Sequence, residues 1–465
     1  MPSTPITSTA TLWVIAAVQF LTPFMFSAIG VALPSIGAEF SAGAFQLGLV
    51  EMVYVLAVAL LLLPIGRYAD IHGRRNIFLA GIFVITAATL ALALAPSIGL
   101  LIFFRFFQGI GAAMITSSSL AILSSTYPLS QRGRALGVVV ASVYLGISAG
   151  PLLAGLMIDY LGWRWIFYSA VPVECTALLF ALLLLKGEWA GARGEPFDWI
   201  GSFLYIIALF CIIVGVLEAQ AYPGAGWLAG FGLIVMAIFL YLENSLEFPI
   251  FPLKKIVANR RFALSNIATW LNYAASFGIT FFFSIYLQVI KGIPPKLTGF
   301  ILITQPLIMA FCAPIAGRLS DTYSPAPIAT TGMILCTVAM LFASFITATS
   351  SMLLIFAVLI IMGLGVGFFS TPNTTAIMAC IGKTDYGMAS SMIATMRTIG
   401  MLTAMTLITV LLAWFLGKQP ISPDTGHLFL AAMHAAMAIF SVLGVIGIVC
   451  SIGRTGKTHV QSLDN

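Results

Sequence analysis

The stretch Gly137–Gly155, GVVVASVYLGISAGPLLAG, decides how this chain is read. It is apolar, yet it carries Gly137, Gly146, Gly150, Pro151 and Gly155. Inside a soluble helix each such glycine costs about 1 kcal/mol and the proline about 3 kcal/mol. A membrane helix tolerates the same residues, because neighbouring helices shield its backbone and re-satisfy it. Gly146 and Gly150 stand four apart on one face, a small surface that lets another helix come close. The stretch therefore reads as a close-packed, bendable membrane span and a candidate hinge.

The rest of the chain agrees. Of 465 residues, 60% are hydrophobic and 8% charged, against about 25% charged in soluble proteins. The net charge of +6 does not point to nucleic acid, since the basic residues sit in short loops between apolar runs. The six cysteines are scattered singly at no metal or redox spacing and read as packing thiols. The first apolar run, Leu12–Ile36, lacks a basic leader and is too long for a signal-peptide core, so a retained span is expected.

A spanning helix needs about 20 apolar residues. Spans are expected at 12–36, 45–65, 76–95, 98–126, 135–158, 164–185, 199–218, 226–242, 262–289, 297–317, 325–346, 351–380, 387–416 and 428–452, fourteen in all. An even count puts both termini on one side. Fifteen Lys and Arg fall in the tail and the turns on that side, Arg67, Arg74, Arg75, Arg260 and Arg261 among them. Only Arg164, Lys291, Lys296 and Lys418 fall in the opposite turns, with Arg105 and Arg397 inside spans. The basic side is cytoplasmic, so both termini are expected there, in a plasma (inner) membrane.

The chain also repeats itself. PIGRYAD (Pro64–Asp70) returns as APIAGRLSD (Ala313–Asp321), Gly109 and Gly111 as Gly363 and Gly365, and Gly146 as Gly400, at offsets of 251 to 254 residues. Two six-helix copies are expected at 1–186 and 262–453. Two inserted spans and the basic amphipathic linker Phe248–Arg261 occupy 187–261, and a short tail covers 454–465. Repeated halves around a central site are the plan of secondary transporters.

These motifs resemble a known family. GRYADIHGRRNIF (Gly66–Phe78) is similar to the loop after helix 2 of the major facilitator superfamily, and RFFQGIGAA (Arg105–Ala113) to its helix-4 motif. Gly137–Gly155 resembles the helix-5 motif of its exporters, with Ala154 in place of a usual Gly, and its small residues are expected at the seam between the two halves. DYLGWRWIFY (Asp159–Tyr168), the two-helix insert and PLKKIVANRRF (Pro252–Phe262) look like those of fourteen-span drug:proton antiporters. The resemblance implies an all-α membrane fold, alternating access, and a cytoplasmic latch at Gly66, Asp70, Gly73, Arg74 and Arg75 that closes when the protein faces outward. It also implies that Arg105 tunes protonation of nearby carboxylates. The sequence departs from the family where helix 1 usually carries an Asp and an Asn, here Met25 and Gly30, and at Ala170, where another Asn is usual.

An ionisable side chain at mid-membrane costs about 2.5–3.5 kcal/mol and marks function. Glu51 lies roughly 9 Å in from the outer face, Arg105 about 10 Å and Glu174 about 15 Å. Glu51 is the first candidate for a proton or cation site and Glu174 the second. The plainer alternatives are an ion pair with Arg105 for Glu51 and a hydrogen bond to a Ser or Thr for Glu174. Tyr54 shares a face with Glu51, and Gln108 with Arg105. Phe24, Asn373 and Arg397 are further expected cavity residues. Ser117–Ser119 and Thr371–Thr375 mark polar, broken stretches near the cavity floor. Gly66 and Gly73 are expected to allow a tight turn, and Asp70 to accept from helix N-termini or to pair with an Arg across the seam between halves. His434, in AAMHAAM, reads as a helix-packing hydrogen bond.

The leading expectation is proton-coupled efflux of lipophilic, cationic compounds by a monomer. The proton gradient is its energy source, with no cofactor, metal or nucleic acid. The alternative is an exporter of one metabolite, such as an amino acid, siderophore or antibiotic. No enzyme is expected: no His-Glu-x-x-His, Gly-x-Ser-x-Gly or phosphate loop occurs.

Overall fold

The computed structural model describes residues 5–127, 129–219, 222, 224–251, 253–381, 386–417 and 419–454. Of the expected tail only Arg454 falls among them, and the side chain of Asp321 lies outside the described residues. The first eight helices are α1 (Pro5–Phe40), α2 (Ala44–His72), α3 (Arg74–Ala93), α4 (Ile98–Thr126), α5 (Leu129–Leu161), α6 (Arg164–Leu184), α7 (Trp199–Glu218) and α8 (Ala225–Glu243). A short α9 (Leu253–Ala258) leads into α10 (Arg260–Ser276), α11 (Ile279–Ile285), α12 (Pro295–Leu302), α13 (Thr304–Thr322), α14 (Pro325–Ala343), α15 (Met352–Met378), α16 (Tyr386–Leu416) and α17 (Gly426–Ile452). Fourteen stretches are long and apolar enough to cross a membrane, with α10 and α11 forming one and α12 and α13 another. We call the side carrying both chain ends the terminal face and the other the distal face.

Prolines lie inside helices throughout, at Pro23, Pro34, Pro64, Pro151, Pro172, Pro314 and Pro372. The polar stretches expected to be broken are not. α4 runs through Ser117–Ser119, where the Ser117 and Ser119 hydroxyls donate to the Met114 and Ile115 carbonyls, and α15 runs through Pro372. The breaks fall in the ninth span, at Phe277–Gly278 and in a π-helical turn at Tyr286–Ile290, and in the tenth, at Ile303. Gly66 sits within α2 and turns nothing; only Gly73, at φ 123°, needs glycine's freedom.

α1–α6 pack together, as do α10–α17, and the inserted α7 and α8 pack on each other with α7 against α2. The Tyr205 hydroxyl of α7 donates to the Ala59 carbonyl at 2.9 Å. The sequence repeat holds in space. A Cβ on Gly111 would lie 2.8 Å from the Gly81 carbonyl oxygen, and one on Gly365 2.9 Å from that of Gly332. Gly146 abuts the Phe20 carbonyl as Gly400 abuts that of Trp270.

That last pair corrects the role expected for the helix-5 glycines. Gly146 and Gly150 seat α5 on α1 within one half, Gly150 beside Ser27 Oγ and the Phe24 carbonyl. The distal end meets the other half through its backbone: a Cβ on Gly155 would lie 2.5 Å from the Pro295 carbonyl, and Gly299 abuts that of Pro151. Gly137 has open space around it. The distal contacts continue with Ser284 Oγ to the Gly30 carbonyl (2.6 Å), Gln288 Nε2 to that of Val31 (3.0 Å), and Ala44 N to that of Gln419 (3.1 Å). The halves are thus closed on each other at the distal face.

Gly146→Ala forces a Cβ into the Phe20 backbone, and overpacking of this kind costs about 1–3 kcal/mol. It is expected to lower the melting temperature of the detergent-solubilised protein, whereas Gly137→Ala leaves it unchanged or raises it. An equal response of the two variants would contradict this account of α5.

Candidate proton-coupling site and substrate cleft

Four side chains from three helices make one buried chain in the N-terminal half. Arg105 Nη1 on α4 donates to Gln108 Oε1 at 2.6 Å. Gln108 Nε2 donates to Thr89 Oγ1 on α3 at 3.1 Å, and that hydroxyl donates to Glu174 Oε1 on α6 at 3.2 Å. None is more than 2% exposed. The spacing of Arg105 and Gln108, one turn apart, comes from the helix itself. Every donor points the same way, so Glu174 is the terminal acceptor, and its second oxygen is buried without a partner among the described residues.

Arg105 is held by more than this chain. Its Nε donates to the Val50 carbonyl at 3.0 Å, and its Cζ lies 4.5 Å over the Tyr54 ring, a cation–π contact strengthened by the absence of water. Its Nη2 is buried and unpaired. No salt bridge joins it to Glu51, so the ion pair weighed for Glu51 is not made in this conformation. Glu51 is 5% exposed and has no hydrogen-bond or ion-pair partner among the described residues. Its Oε1 lies where a side chain at Gly30 would begin, 3.1 Å from a Cβ built there. The departure at Gly30 therefore leaves room for this carboxylate against α1. The charge of Arg105 acts on Glu51, and Thr89 bonds Glu174 as its plainer reading expected.

Aromatic rings lead from this site to the other half. The Tyr54 ring lies 5.3 Å from that of Phe26, which stacks at 5.4 Å on Phe277 of the ninth span. Phe24, expected in the cavity, instead stacks on Phe20 at 5.9 Å and is buried. Asn373 is also displaced from its expected place. It is 2% exposed inside the C-terminal half, where Nδ2 donates to Thr269 Oγ1 at 2.8 Å and Oδ1 accepts from Arg454. Arg454 donates as well to Ser451 Oγ at 2.8 Å and Ser265 Oγ at 3.2 Å, and burial pulls its guanidinium down to about 10, still protonated at neutral pH. Arg397 stays half-buried, with no ion-pair or hydrogen-bond partner among the described residues. Its charge acts on Tyr144 of α5, whose hydroxyl is hydrogen-bonded to Ser370 of α15, which ties this arginine to the cleft between the halves. His434 Nε2 meets the Ile346 carbonyl at 2.6 Å, a helix-packing bond as read from its surroundings.

The latch residues are all engaged within their own half or with the segment leading into the insert. Asp70 pairs with Arg74 of its own loop at 2.6 Å, where a partner across the seam was expected. Arg74 N donates to the Trp189 carbonyl and Ala192 N to that of Asp70, both at 2.9 Å. Arg75 N donates to Glu188 Oε1 at 2.8 Å, and Arg67 pairs with Glu195. The segment 185–198 thus straps the loop. No described residue of the C-terminal half bonds it. The reason is conformational: with the distal face closed, the loop has no partner opposite and its charges are satisfied locally.

Thr89, Phe277, Tyr144 and the strap acids Glu188 and Glu195 escaped the sequence reading. Thr89 meets residues 19 and 85 positions away, a distance no helical periodicity spans.

The architecture defines a class, a multi-pass membrane transporter of two repeated helical bundles. Comparison with known proteins makes it specific. The Major Facilitator Superfamily profile matches residues 15–249 and 265–463, and the chain belongs to that superfamily, among relatives named for drug resistance and export. It is 30% identical over 395 residues to the Multidrug resistance protein Stp of Mycobacterium tuberculosis, covering 83% of this chain and 72% of that one. It is 28% identical over 465 residues to the Puromycin resistance protein of Streptomyces alboniger (96% and 91%), and 27% over 394 residues to the Riboflavin transporter RibZ of Clostridioides difficile (83% and 85%). A crystal structure of a bacterial homologue of the human lysosomal transporter Spinster superposes with a TM-score of 0.70 at 17% identity, over 97% of this chain and 98% of that one.

Thr89→Val keeps the shape but removes the hydroxyl, leaving Gln108 Nε2 and Glu174 Oε1 without each other's bridge. Orphaning buried polar groups costs about 1–3 kcal/mol. A lower melting temperature is expected for Thr89→Val and a near-normal one for Thr89→Ser. Equal stability of Thr89→Val and the parent would show that the chain carries no weight.

Proposed function

We propose that this transporter exports lipophilic compounds from the cytoplasm across the plasma membrane in exchange for protons. The terminal face is cytoplasmic, on the strength of its excess of basic residues. The conformation closed at the distal face is then the one that loads substrate from inside. The observation that carries proton coupling is the pair of buried carboxylates in the same half as one fully buried guanidinium. Glu51 has no partner and Glu174 ends a hydrogen-bond chain that starts on Arg105. A carboxylate in such a place binds a proton in one access state and releases it in another, and Arg105 shifts that balance by charge alone. The relatives named for multidrug and puromycin resistance support export as the direction. Phe26, Phe277 and Tyr54 supply flat aromatic faces that suit lipophilic cations.

A second reading rests on Arg397. A cation without a hydrogen-bond or ion-pair partner among the described residues beside the cleft favours a substrate with an acidic group, and the riboflavin transporter among the relatives fits transport of a single metabolite better than of many drugs.

In inverted vesicles carrying a preset proton gradient, rhodamine 6G is expected to collapse the gradient on addition, and Glu51→Gln to abolish this while the protein still inserts. Substrate-independent gradients in the parent would sink proton exchange, and unchanged flux in Glu51→Gln would move the proton to Glu174. Faster export of the carboxylate dye rhodamine B than of its own ethyl ester would favour the second reading.

A further inference from the structure

Outside the site above, one other pair of carboxyl groups is buried together, in the inserted helices that the transport reading leaves without a task. Asp198 caps the start of α7, its Oδ1 accepting from Gly201 N at 2.9 Å. Glu243 ends α8, its Oε2 accepting from Phe251 N of the linker at 2.8 Å. Glu243 is 2% exposed. The remaining oxygens, Asp198 Oδ2 and Glu243 Oε1, are both buried with no donor among the described residues. They converge over Gly201: a Cβ there would lie 2.6 Å from Glu243 Oε1 and would touch Asp198 Oδ2. Gly201 is what lets them meet.

Two carboxyl oxygens can face each other without a donor between them only if one carries a proton. Among the described residues no basic group supplies the alternative. The charge acting on Glu243 is that of Asp198. Of the cations on neighbouring elements, Arg67 of α2 pairs with Glu195 and Arg74 of α3 with Asp70, while Lys254 of α9 lines an open groove with Leu240, Tyr241 and Asn244. Tyr205 of α7 is bonded to Ala59.

We propose that Asp198 and Glu243 form a proton-binding site at the terminal face, holding one proton between Oδ2 and Oε1. Losing it sets two negative charges side by side, and the cheapest relief is to separate α7 from α8 or release the Phe251 anchor. Three residues before Asp198 stands Glu195, paired with Arg67, and Ala192 is bonded to Asp70. The strap therefore runs without a break from the carboxyl pair to the latch loop, and the proton on the pair sets how firmly that loop is held in this conformation. The inserted helices thus act as a cytoplasmic pH sensor on the gate, separate from the coupling carboxylates of the N-terminal half.

The test is a thermal-stability profile of the purified full-length protein between about pH 5 and 9, with a count of protons released over the same range. The folded pair binds its proton more tightly than the unfolded chain does. Stability from it is present at low pH and is lost as pH rises through the pair's release point. The parent is expected to show that fall in melting temperature. In Glu243→Gln the amide donates to Asp198 at every pH, so the fall disappears and one proton fewer is released. Asp198→Asn, which still caps a helix, behaves likewise. A parent profile without the step, an unchanged step in either variant, or a step that moves with sodium concentration at constant ionic strength overturns the proposal. Transport is not needed for any of these readouts, so they stand apart from the test of proton-coupled export.

Discussion

A guanidinium shut away from water is the constraint around which the N-terminal half is built. Arg105 is fully buried, and the cost of desolvating such a charge exceeds what one hydrogen bond returns. Four helices therefore supply acceptors: the Val50 carbonyl and Tyr54 ring from α2, Gln108 from α4 itself, and through Thr89 of α3 the carboxylate of α6. Glu51 and Glu174 share the region without closing an ion pair on Arg105. A closed pair would fix the charges permanently. Two carboxylates at one remove leave their protonation free to follow the water that reaches them, which is what a proton-linked carrier needs.

Close backbone contact is the second constraint. Gly146, Gly109 and Gly111, with Gly400, Gly363 and Gly365 as their counterparts, let helices meet carbonyl to Cα within each half. Each half is thereby a stiff unit, because well-packed interiors move as blocks. The freedom to rock is left to the contacts between halves. At the distal face these join Pro151 and Gly155 to α12, Ser284 and Gln288 to α1, Gly48 of α2 to Thr409 of α16, and Gln419 to Ala44. They can part without disturbing either core. The Phe26–Phe277 stack lies between them and the cleft as an aromatic bridge between the halves.

The latch loop shows how a conformation selects its own electrostatics. Asp70, Arg74, Arg75 and Arg67 all have partners, and all of those partners lie in the loop itself, in α4, at the end of α6 or in the strap. Charges near a membrane surface do not stay unpaired when a local partner exists. Exchange of these contacts for ones across the seam is then an isoelectric swap, small in net energy and suited to a switch between two states.

Much of this was legible without coordinates. Fourteen apolar runs, the bias of basic residues and the 251- to 254-residue repeat each report a property carried along the chain, and a membrane translates such properties directly into helices because it leaves the backbone no other way to satisfy itself. The repeat even foretold contacts, since Gly111 and Gly365 meet the same partners in their own halves. The i, i+3 neighbours Arg105 and Gln108 were readable for the same reason. What only the tertiary structure decided are meetings between residues far apart in sequence. Apolar helices look alike on all sides, so nothing along the chain said that Phe24 and Asn373 turn into their own bundles while Phe26 reaches across. Nor did it say that Thr89 bridges Gln108 and Glu174, that the helix-5 glycines face α1 instead of the seam, or that Asp198 and Glu243 close on each other over Gly201. Those choices are made by packing, where the relative rotation of two helices fixes which polar atoms are left to find each other.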